Sequence, residues 1–133
     1  MNGSAPAKRS RPSRILLVED DSAIRRVATR ILERDGFEVI GAASAEEALQ
    51  ALEGENPVVD LVLTDVVLPG MTGPEFVDRI RSRTPGIRVL FSSGYAENAL
   101  PDHGLDPAEH TFLSKPYTVD ALTSRIREVL GKA

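Results

Sequence analysis

The feature that most constrains this chain is an alternation of short apolar runs with amphipathic stretches. The apolar runs have the length of single strands and occur five times, at Arg14–Val18, Phe37–Ala42, Leu61–Thr64, Arg88–Phe91 and Thr111–Ser114. Between them apolar residues recur with a helical period, most clearly in residues 22–35, at Ile24, Val27, Ala28, Ile31 and Leu32. Strands that alternate with helices pair in parallel, with helices on both faces of the sheet. The sequence therefore predicts one doubly wound α/β domain of (βα)₅ type with a parallel five-stranded sheet.

Residues typical of helix ends mark where the amphipathic stretches begin. Asp21 is predicted to be the N-cap of the first helix, and Ser44 with Glu47 has the spacing of a capping box. Thr118 is predicted to cap a last helix whose inward face carries Val119, Leu122, Ile126 and Val129. Residues 95–109 are weakly patterned and contain proline and glycine, so they predict at most a short helix followed by a loop.

Length and charge divide the chain into a short tail and one domain. With 133 residues it is long enough for one domain and too short for two. Residues 1–13 hold three basic residues, no acid, and mostly Ser, Pro, Gly and Ala, which predicts a disordered basic linker or tail before a domain at 14–133. The net charge is −4, so the tail's +3 leaves −7 on the domain. An acidic domain with 5% aromatic residues argues against direct nucleic-acid binding.

Two further absences in the sequence restrict the kind of protein. The chain has no Cys, which excludes a disulfide and a thiolate metal site. It has no apolar run near the roughly 20 residues that a membrane span needs, and no N-terminal signal-peptide pattern. We therefore expect a cytoplasmic location and no membrane contact by this domain.

Polar residues with reactive or metal-binding side chains follow four of the predicted strands, directly where those strands end. Glu19-Asp20-Asp21 follows the first strand and Asp65 the third, while Ser92-Ser93 closes the fourth and Lys115 follows the fifth. Because ligands of open α/β sheets bind outside the carboxyl ends of the strands, these side chains are expected to meet at one edge.

The residue types at this edge favour phosphoryl chemistry with a metal ion. Three carboxylates near one point repel one another unless they bind a cation or a proton. Ligands that are all oxygen suit Mg²⁺ better than Zn²⁺, and a lone Lys115 suits a phosphate. Phosphoryl transfer needs in-line positioning and charge neutralisation, to which a Ser93 hydroxyl adds a donor. Asp65 is then the predicted nucleophile, which forms an acyl phosphate.

Several motifs resemble the receiver domain of two-component response regulators. They are Glu19-Asp20 after LLV, the stretch from Thr64-Asp65 through the turn-rich loop Leu68–Gly73, Ser93-Gly94 and Lys115-Pro116. The resemblance covers residues 14–130 in order and spacing, and implies a flavodoxin-like fold with strand order 2-1-3-4-5. The stretches FSSGYAEN and TDVVLPGMTGPE look most like the C-terminal receivers of hybrid histidine kinases of the cell-cycle type.

The resemblance implies a role for each matching residue. Asp65 matches the phosphoacceptor and a metal ligand, Asp20 a direct Mg²⁺ ligand, and Glu19 an acid that acts through water. The remaining matches are the backbone carbonyl of Val67 as a metal ligand, Ser93 as the switch hydroxyl, Lys115 as the phosphate-binding lysine and Phe112 as the switch aromatic. Glu19 and Ser93 stand where Asp and Thr are commoner. Ser92 is predicted to have no chemical role.

The function that follows from the resemblance is that of a phosphoacceptor signalling domain rather than an enzyme. Such a domain accepts a phosphoryl group from the phosphohistidine of a histidine kinase or a histidine phosphotransfer protein, with Mg²⁺, and changes conformation. In a hybrid kinase it forms the cytosolic end of a membrane-bound protein.

Three other functions compete with this interpretation. A phosphatase of the haloacid-dehalogenase kind uses a second acid two residues after the nucleophile, where this chain has Val67. A nucleotide or flavin binder on the same sheet lacks its glycine-rich motif here. A pseudo-receiver that docks without phosphorylation is argued against by the intact set of acids, serine and lysine.

Overall fold

The fold is built on five parallel strands, seen in a computed structural model that describes residues 12–53, 58–68, 70–93, 112–114 and 118–131. The sheet strands are β1 (Arg14–Val18), β2 (Glu38–Ala42), β3 (Leu61–Asp65), β6 (Arg88–Ser93) and β7 (Phe112–Ser114). The helices are α1 (Ser22–Arg34), α2 (Ala45–Ala51), α3 (Gly73–Arg83) and α4 (Val119–Gly131). Between β3 and α3, the short strands β4 (Val67–Leu68) and β5 (Met71–Thr72) form an antiparallel pair.

The order of the main sheet confirms the predicted topology. It runs β2-β1-β3-β6-β7, which is 2-1-3-4-5 when the sheet strands alone are counted. Every neighbouring pair in it is parallel. The carboxyl ends of all five strands therefore share one edge, as the sequence predicted. The stretch 95–109, where a short helix was expected, lies outside the described residues.

Two hydrophobic clusters hold helices on opposite faces of the sheet. Alternate residues of β1 and β3 enter different clusters, because successive side chains of a strand point to opposite faces. Leu16 and Val62 pack with apolar residues of α2 and α3, whereas Leu17 and Leu63 pack with those of α1 and α4. This sandwich of a sheet between two helix layers confirms the predicted α/β class. Within the segments that the structure describes, no helix is both long and apolar enough to cross a membrane.

Three helices have the N-cap residue that the sequence predicts, and the structure shows a further N-cap at α3. The carboxylate of Asp21 accepts from the N–H groups of Ala23 and Ile24, and the Thr118 hydroxyl accepts from that of Ala121. Ser44 caps α2 through the N–H of Glu47. The full capping box, however, lies at α3, where the Thr72 hydroxyl accepts from the N–H of Glu75 and the Glu75 carboxylate accepts from that of Thr72.

Three sequence predictions differ from the structure in detail. The sequence predicts Val27 on the apolar face of the first helix and Val119 on the inward face of the last, but they are 55% and 56% exposed. The helical period identifies a stripe of residues, whereas the neighbouring elements decide how wide a stripe is covered. The Glu47 carboxylate accepts from the N–H of Ala43 instead of Ser44, so the predicted box there is only half formed. The turn-rich loop 68–73 contains the β5 strand paired with β4.

Candidate functional site

Glu19 lies directly after β1, where the main chain continues the sheet by one more residue. The N–H of Glu19 donates to the carbonyl of Ala42 at 3.0 Å, which ties this position to the end of β2. The Glu19 side chain is buried, and its Oε2 accepts from the N–H of Asp21 at 3.1 Å. The loop that carries Glu19 and Asp20 is thus fixed between the end of β1 and the N-cap of α1.

Arg25 of α1 reaches back to the same loop, a contact that the sequence analysis did not anticipate. Its Nη1 donates to the carbonyl of Glu19 at 2.6 Å. The aliphatic part of the Arg25 side chain lies over Gly41, where an added Cβ would stand 3.6 Å from Cδ. Arg25 thereby joins α1, β2 and the acidic loop.

The contact between Arg25 and Glu19 gives a stability prediction. We expect Arg25→Met to lower the free energy of unfolding by about 1 kcal/mol, because it removes a charged donor but keeps an aliphatic stem over Gly41. Urea unfolding measures the change. Arg26→Met removes the same charge at an exposed neighbour and is expected to change stability by less than ~0.5 kcal/mol. Equal effects of the two variants would contradict the structural role of Arg25.

Asp65 is the last residue of β3 and is held against β6. It pairs in register with Ser92, and the N–H of Val66 donates to the Ser92 carbonyl at 3.1 Å. The Ser92 Oγ donates to Oδ1 of Asp65 at 3.0 Å. Both side chains are buried, with 6% of Asp65 and 3% of Ser92 exposed. The prediction that Ser92 has no chemical role therefore missed a direct contact with the Asp65 carboxylate.

The main chain after Asp65 is packed tightly against the start of α3. The N–H of Gly73 donates to the carbonyl of Val66 at 2.6 Å. A Cβ on Gly73 would lie 2.3 Å from the carbonyl oxygen of Asp65 and 3.2 Å from Cα of Val66. Only a residue without a side chain allows this approach, so Gly73 fixes how close α3 comes to the end of β3.

The structure brings three of the predicted acids together at the edge of the sheet. One carboxylate oxygen from each of Glu19, Asp20 and Asp65 lies within 4.8 Å of the other two. Glu19 and Asp65 are buried, whereas Asp20 is exposed. Like charges this close favour a bound cation, and three carboxylates from two strand ends fit a hard oxygen-ligated ion such as Mg²⁺. The exposed side of the cluster leaves access for an ion and its waters.

The other predicted site residues are placed only in part. The backbones of Ser93 and Phe112 form part of β6 and β7, respectively, and Ser93 is in register with Ser114. The side chains of Ser93 and Phe112, and the whole of Lys115, lie outside the described residues. Val67 begins β4 and is 47% exposed, and its carbonyl as a metal ligand stays a prediction.

Comparison with known proteins identifies the family. The model for the response regulator receiver domain matches residues 15–127, which is most of the chain. This chain belongs to the response regulator receiver family. Receiver domains are phosphoacceptor signalling domains of two-component systems and not a family of catalytic enzymes, so the phosphatase alternative is wrong. They bind Mg²⁺ and interact with histidine kinases or phosphotransfer proteins.

Individual relatives include a sensor kinase and a response regulator receiver protein. The chain is 40% identical over 118 residues to the sensor kinase CckA of Brucella abortus, covering 89% of this chain and 12% of that protein. It is 38% identical over 120 residues to the response regulator receiver protein CpdR of Brucella abortus, covering 88% of this chain and 96% of CpdR. The crystal structure of the receiver domain from the hybrid histidine kinase CckA matches with a TM-score of 0.73 and 37% identity, over 89% of this chain and 99% of that one.

Proposed function

We propose that Asp65 is the phosphoacceptor of this receiver domain. The observation that carries the proposal is the position of its carboxylate, buried at the end of β3 and within 4.8 Å of carboxylate oxygens from Glu19 and Asp20. A carboxylate at this edge is fixed by the sheet on one side, while the exposed Asp20 leaves the other side accessible. Asp65 therefore combines a rigid support with access for a phosphoryl donor.

The same acids are proposed to hold Mg²⁺. Asp20 and Asp65 are the proposed direct ligands together with the backbone carbonyl of Val67, while Glu19 acts through water. Glu19 is longer than an Asp and its Oε2 already accepts from the N–H of Asp21, which fits an outer position. When bound, Mg²⁺ would neutralise charge on the oxygens of the transferring phosphoryl group.

The proposed transfer is a direct displacement at phosphorus. A carboxylate oxygen of Asp65 attacks the phosphoryl group of a partner's phosphohistidine, and a phosphorus–oxygen bond forms as the phosphorus–nitrogen bond breaks. The bonding electron pair leaves with the imidazole nitrogen, which takes a proton from solvent. Lys115 is proposed to pair with a phosphoryl oxygen, and Ser93 to donate a hydrogen bond to another. Movement of Ser93 toward the phosphoryl group, followed by Phe112, is the proposed change of conformation.

The proposed partners and setting follow from this chemistry. They are a histidine kinase, a histidine phosphotransfer protein or both, with no direct nucleic-acid or membrane contact by this domain. We propose a cytoplasmic location, which includes the cytosolic end of a membrane-bound hybrid kinase. Residues 14–133 form the proposed receiver domain, and residues 1–13 a disordered basic linker or tail.

Phosphorylation by a small-molecule donor tests the function. With phosphoramidate and Mg²⁺ the protein is expected to gain one phosphoryl group, which mass spectrometry of the borohydride-reduced protein assigns to Asp65. Chelation of Mg²⁺ with EDTA is expected to prevent the gain. In NMR spectra, Mg²⁺ alone is expected to shift the amide signals around Asp20 and Asp65. A protein that shows neither Mg²⁺-dependent shifts nor phosphoryl uptake would instead be a docking module of the pseudo-receiver kind.

A further inference from the structure

We infer that the Ser92 hydroxyl shortens the lifetime of the phosphorylated state by stabilising Asp65 as the leaving carboxylate. The inference rests on the proposed function, since it takes Asp65 as the phosphoacceptor. It concerns a residue to which the resemblance to the family assigns no chemical role. Ser92 acts through Asp65 and is a positioning residue for it.

The contact between the two side chains is direct and well supported. Oγ of Ser92 lies 3.0 Å from Oδ1 of Asp65, and an ionised carboxylate only accepts, so the hydroxyl is the donor. The two residues are register partners, and the N–H of Val66 donates to the Ser92 carbonyl. The backbone of β3 and β6 thus holds the hydroxyl beside the carboxylate. Both side chains are buried, so water competes little for this hydrogen bond.

The hydrogen bond changes in strength when the acyl phosphate is hydrolysed. Water attacks phosphorus, the bond from phosphorus to the Asp65 oxygen breaks, and its electron pair stays on Asp65. Both protons of the water leave with the product, inorganic phosphate. In the acyl phosphate the carboxyl group presents an uncharged carbonyl oxygen, whereas the departing group is a carboxylate. A hydrogen bond to a charged acceptor is the stronger one, so Ser92 stabilises the transition state more than the acyl phosphate.

The rate of phosphoryl uptake depends much less on the Ser92 hydroxyl than the rate of hydrolysis does. Phosphoryl transfer passes through a loose transition state in which the bond to the nucleophile has formed only slightly. Asp65 therefore carries nearly the same charge in that transition state as in the free protein, and the Ser92 hydrogen bond stabilises both to a similar degree. Loss of the hydroxyl should lengthen the lifetime of the phosphorylated protein much more than it changes the rate of uptake.

Side-chain replacements at position 92 test this asymmetry. The full chain is phosphorylated with phosphoramidate and Mg²⁺ and desalted, and loss of the phosphoryl group is followed by phosphate-affinity electrophoresis. Ser92→Ala and Ser92→Cys, which lack a strong donor, are expected to lengthen the half-life about tenfold while uptake changes by less than about threefold. Ser92→Thr keeps the hydroxyl and is expected to restore the half-life of the original protein.

A second buried hydroxyl serves as the matched control. Thr64 is the neighbour of Asp65 in β3, but its Oγ1 donates to the main-chain carbonyl of Asp65 at 3.1 Å and not to the carboxylate. Thr64→Val removes this hydroxyl with little change of volume and is expected to leave the half-life unchanged. Melting temperatures of all variants show whether each is folded.

The outcomes separate the inference from the proposed function. If phosphorylated Ser92→Ala and Ser92→Cys both kept the half-life of the unsubstituted protein, the inference would be overturned, and Asp65 would remain the phosphoacceptor. A folded Ser92→Thr variant with the long half-life would also overturn it, because the hydroxyl would then not be the cause. If the unsubstituted protein gains no phosphoryl group on Asp65, the proposed function itself fails.

Discussion

The Asp65→Asn variant is expected to gain no phosphoryl group from phosphoramidate and Mg²⁺, a loss of at least ~10²-fold in the rate of uptake. An amide oxygen is uncharged and a poor nucleophile, so no acyl phosphate forms. The fold should persist, because the amide oxygen of asparagine can accept the same hydrogen bond from the Ser92 hydroxyl that Oδ1 of Asp65 accepts. Mass spectrometry of the intact protein measures uptake, and thermal melting shows that the variant is folded.

An acid at the other end of β3 serves as the control for the loss of a negative charge. Asp60 precedes β3 at the opposite edge of the sheet, where its Oδ2 accepts from the N–H of Arg14 at 2.7 Å. Asp60→Asn makes the same chemical change far from the strand ends that carry the acids, and uptake is expected to stay as in the original protein. Phosphoryl uptake by Asp65→Asn at the same site would contradict the phosphoacceptor role of Asp65.

The Gly73→Ala variant is expected to be less stable by about 2–3 kcal/mol and to take up phosphate more slowly. The added Cβ would stand 2.3 Å from the carbonyl oxygen of Asp65, and this oxygen belongs to the main chain of the sheet. Because neither β3 nor the first turn of α3 is free to yield like a flexible side chain, the two must separate. Their separation strains the hydrogen bond from the Gly73 N–H to the Val66 carbonyl and shifts the Asp65 carboxylate.

The same substitution at the end of the last helix isolates this steric effect. An added Cβ at Gly131 would meet nothing within 4 Å, and alanine favours a helix over glycine. Gly131→Ala is therefore expected to leave stability unchanged or slightly raised. Urea unfolding of both variants gives the comparison, with phosphorylation rates measured at full Mg²⁺ occupancy. If Gly73→Ala unfolded at the same urea concentration as the original protein, the close packing of α3 on β3 would be contradicted.

The local sequence was sufficient to predict most elements and the place of the acids. Strands were distinguished from helices because buried parallel strands are short continuous apolar runs, whereas apolar residues of a helix recur about every 3.6 residues. The helical period failed at Val27 and Val119, positions on the apolar stripe whose residues are more than half exposed. The turn residues of 68–73 predicted a loop, but the pairing of β4 with β5 depends on hydrogen bonds that composition does not specify.

By itself the sequence determined that Glu19, Asp20 and Asp65 would meet, because parallel strands bring their carboxyl ends to one edge. Only the tertiary structure decided that Ser92 contacts Asp65. The register of β3 with β6 places Ser92 beside Asp65, and that register is set by packing along both strands. The reach of Arg25 across Gly41 to Glu19, and the approach of Gly73 to Val66, are likewise distances between separate elements. Such distances depend on how the elements pack, which no local pattern encodes.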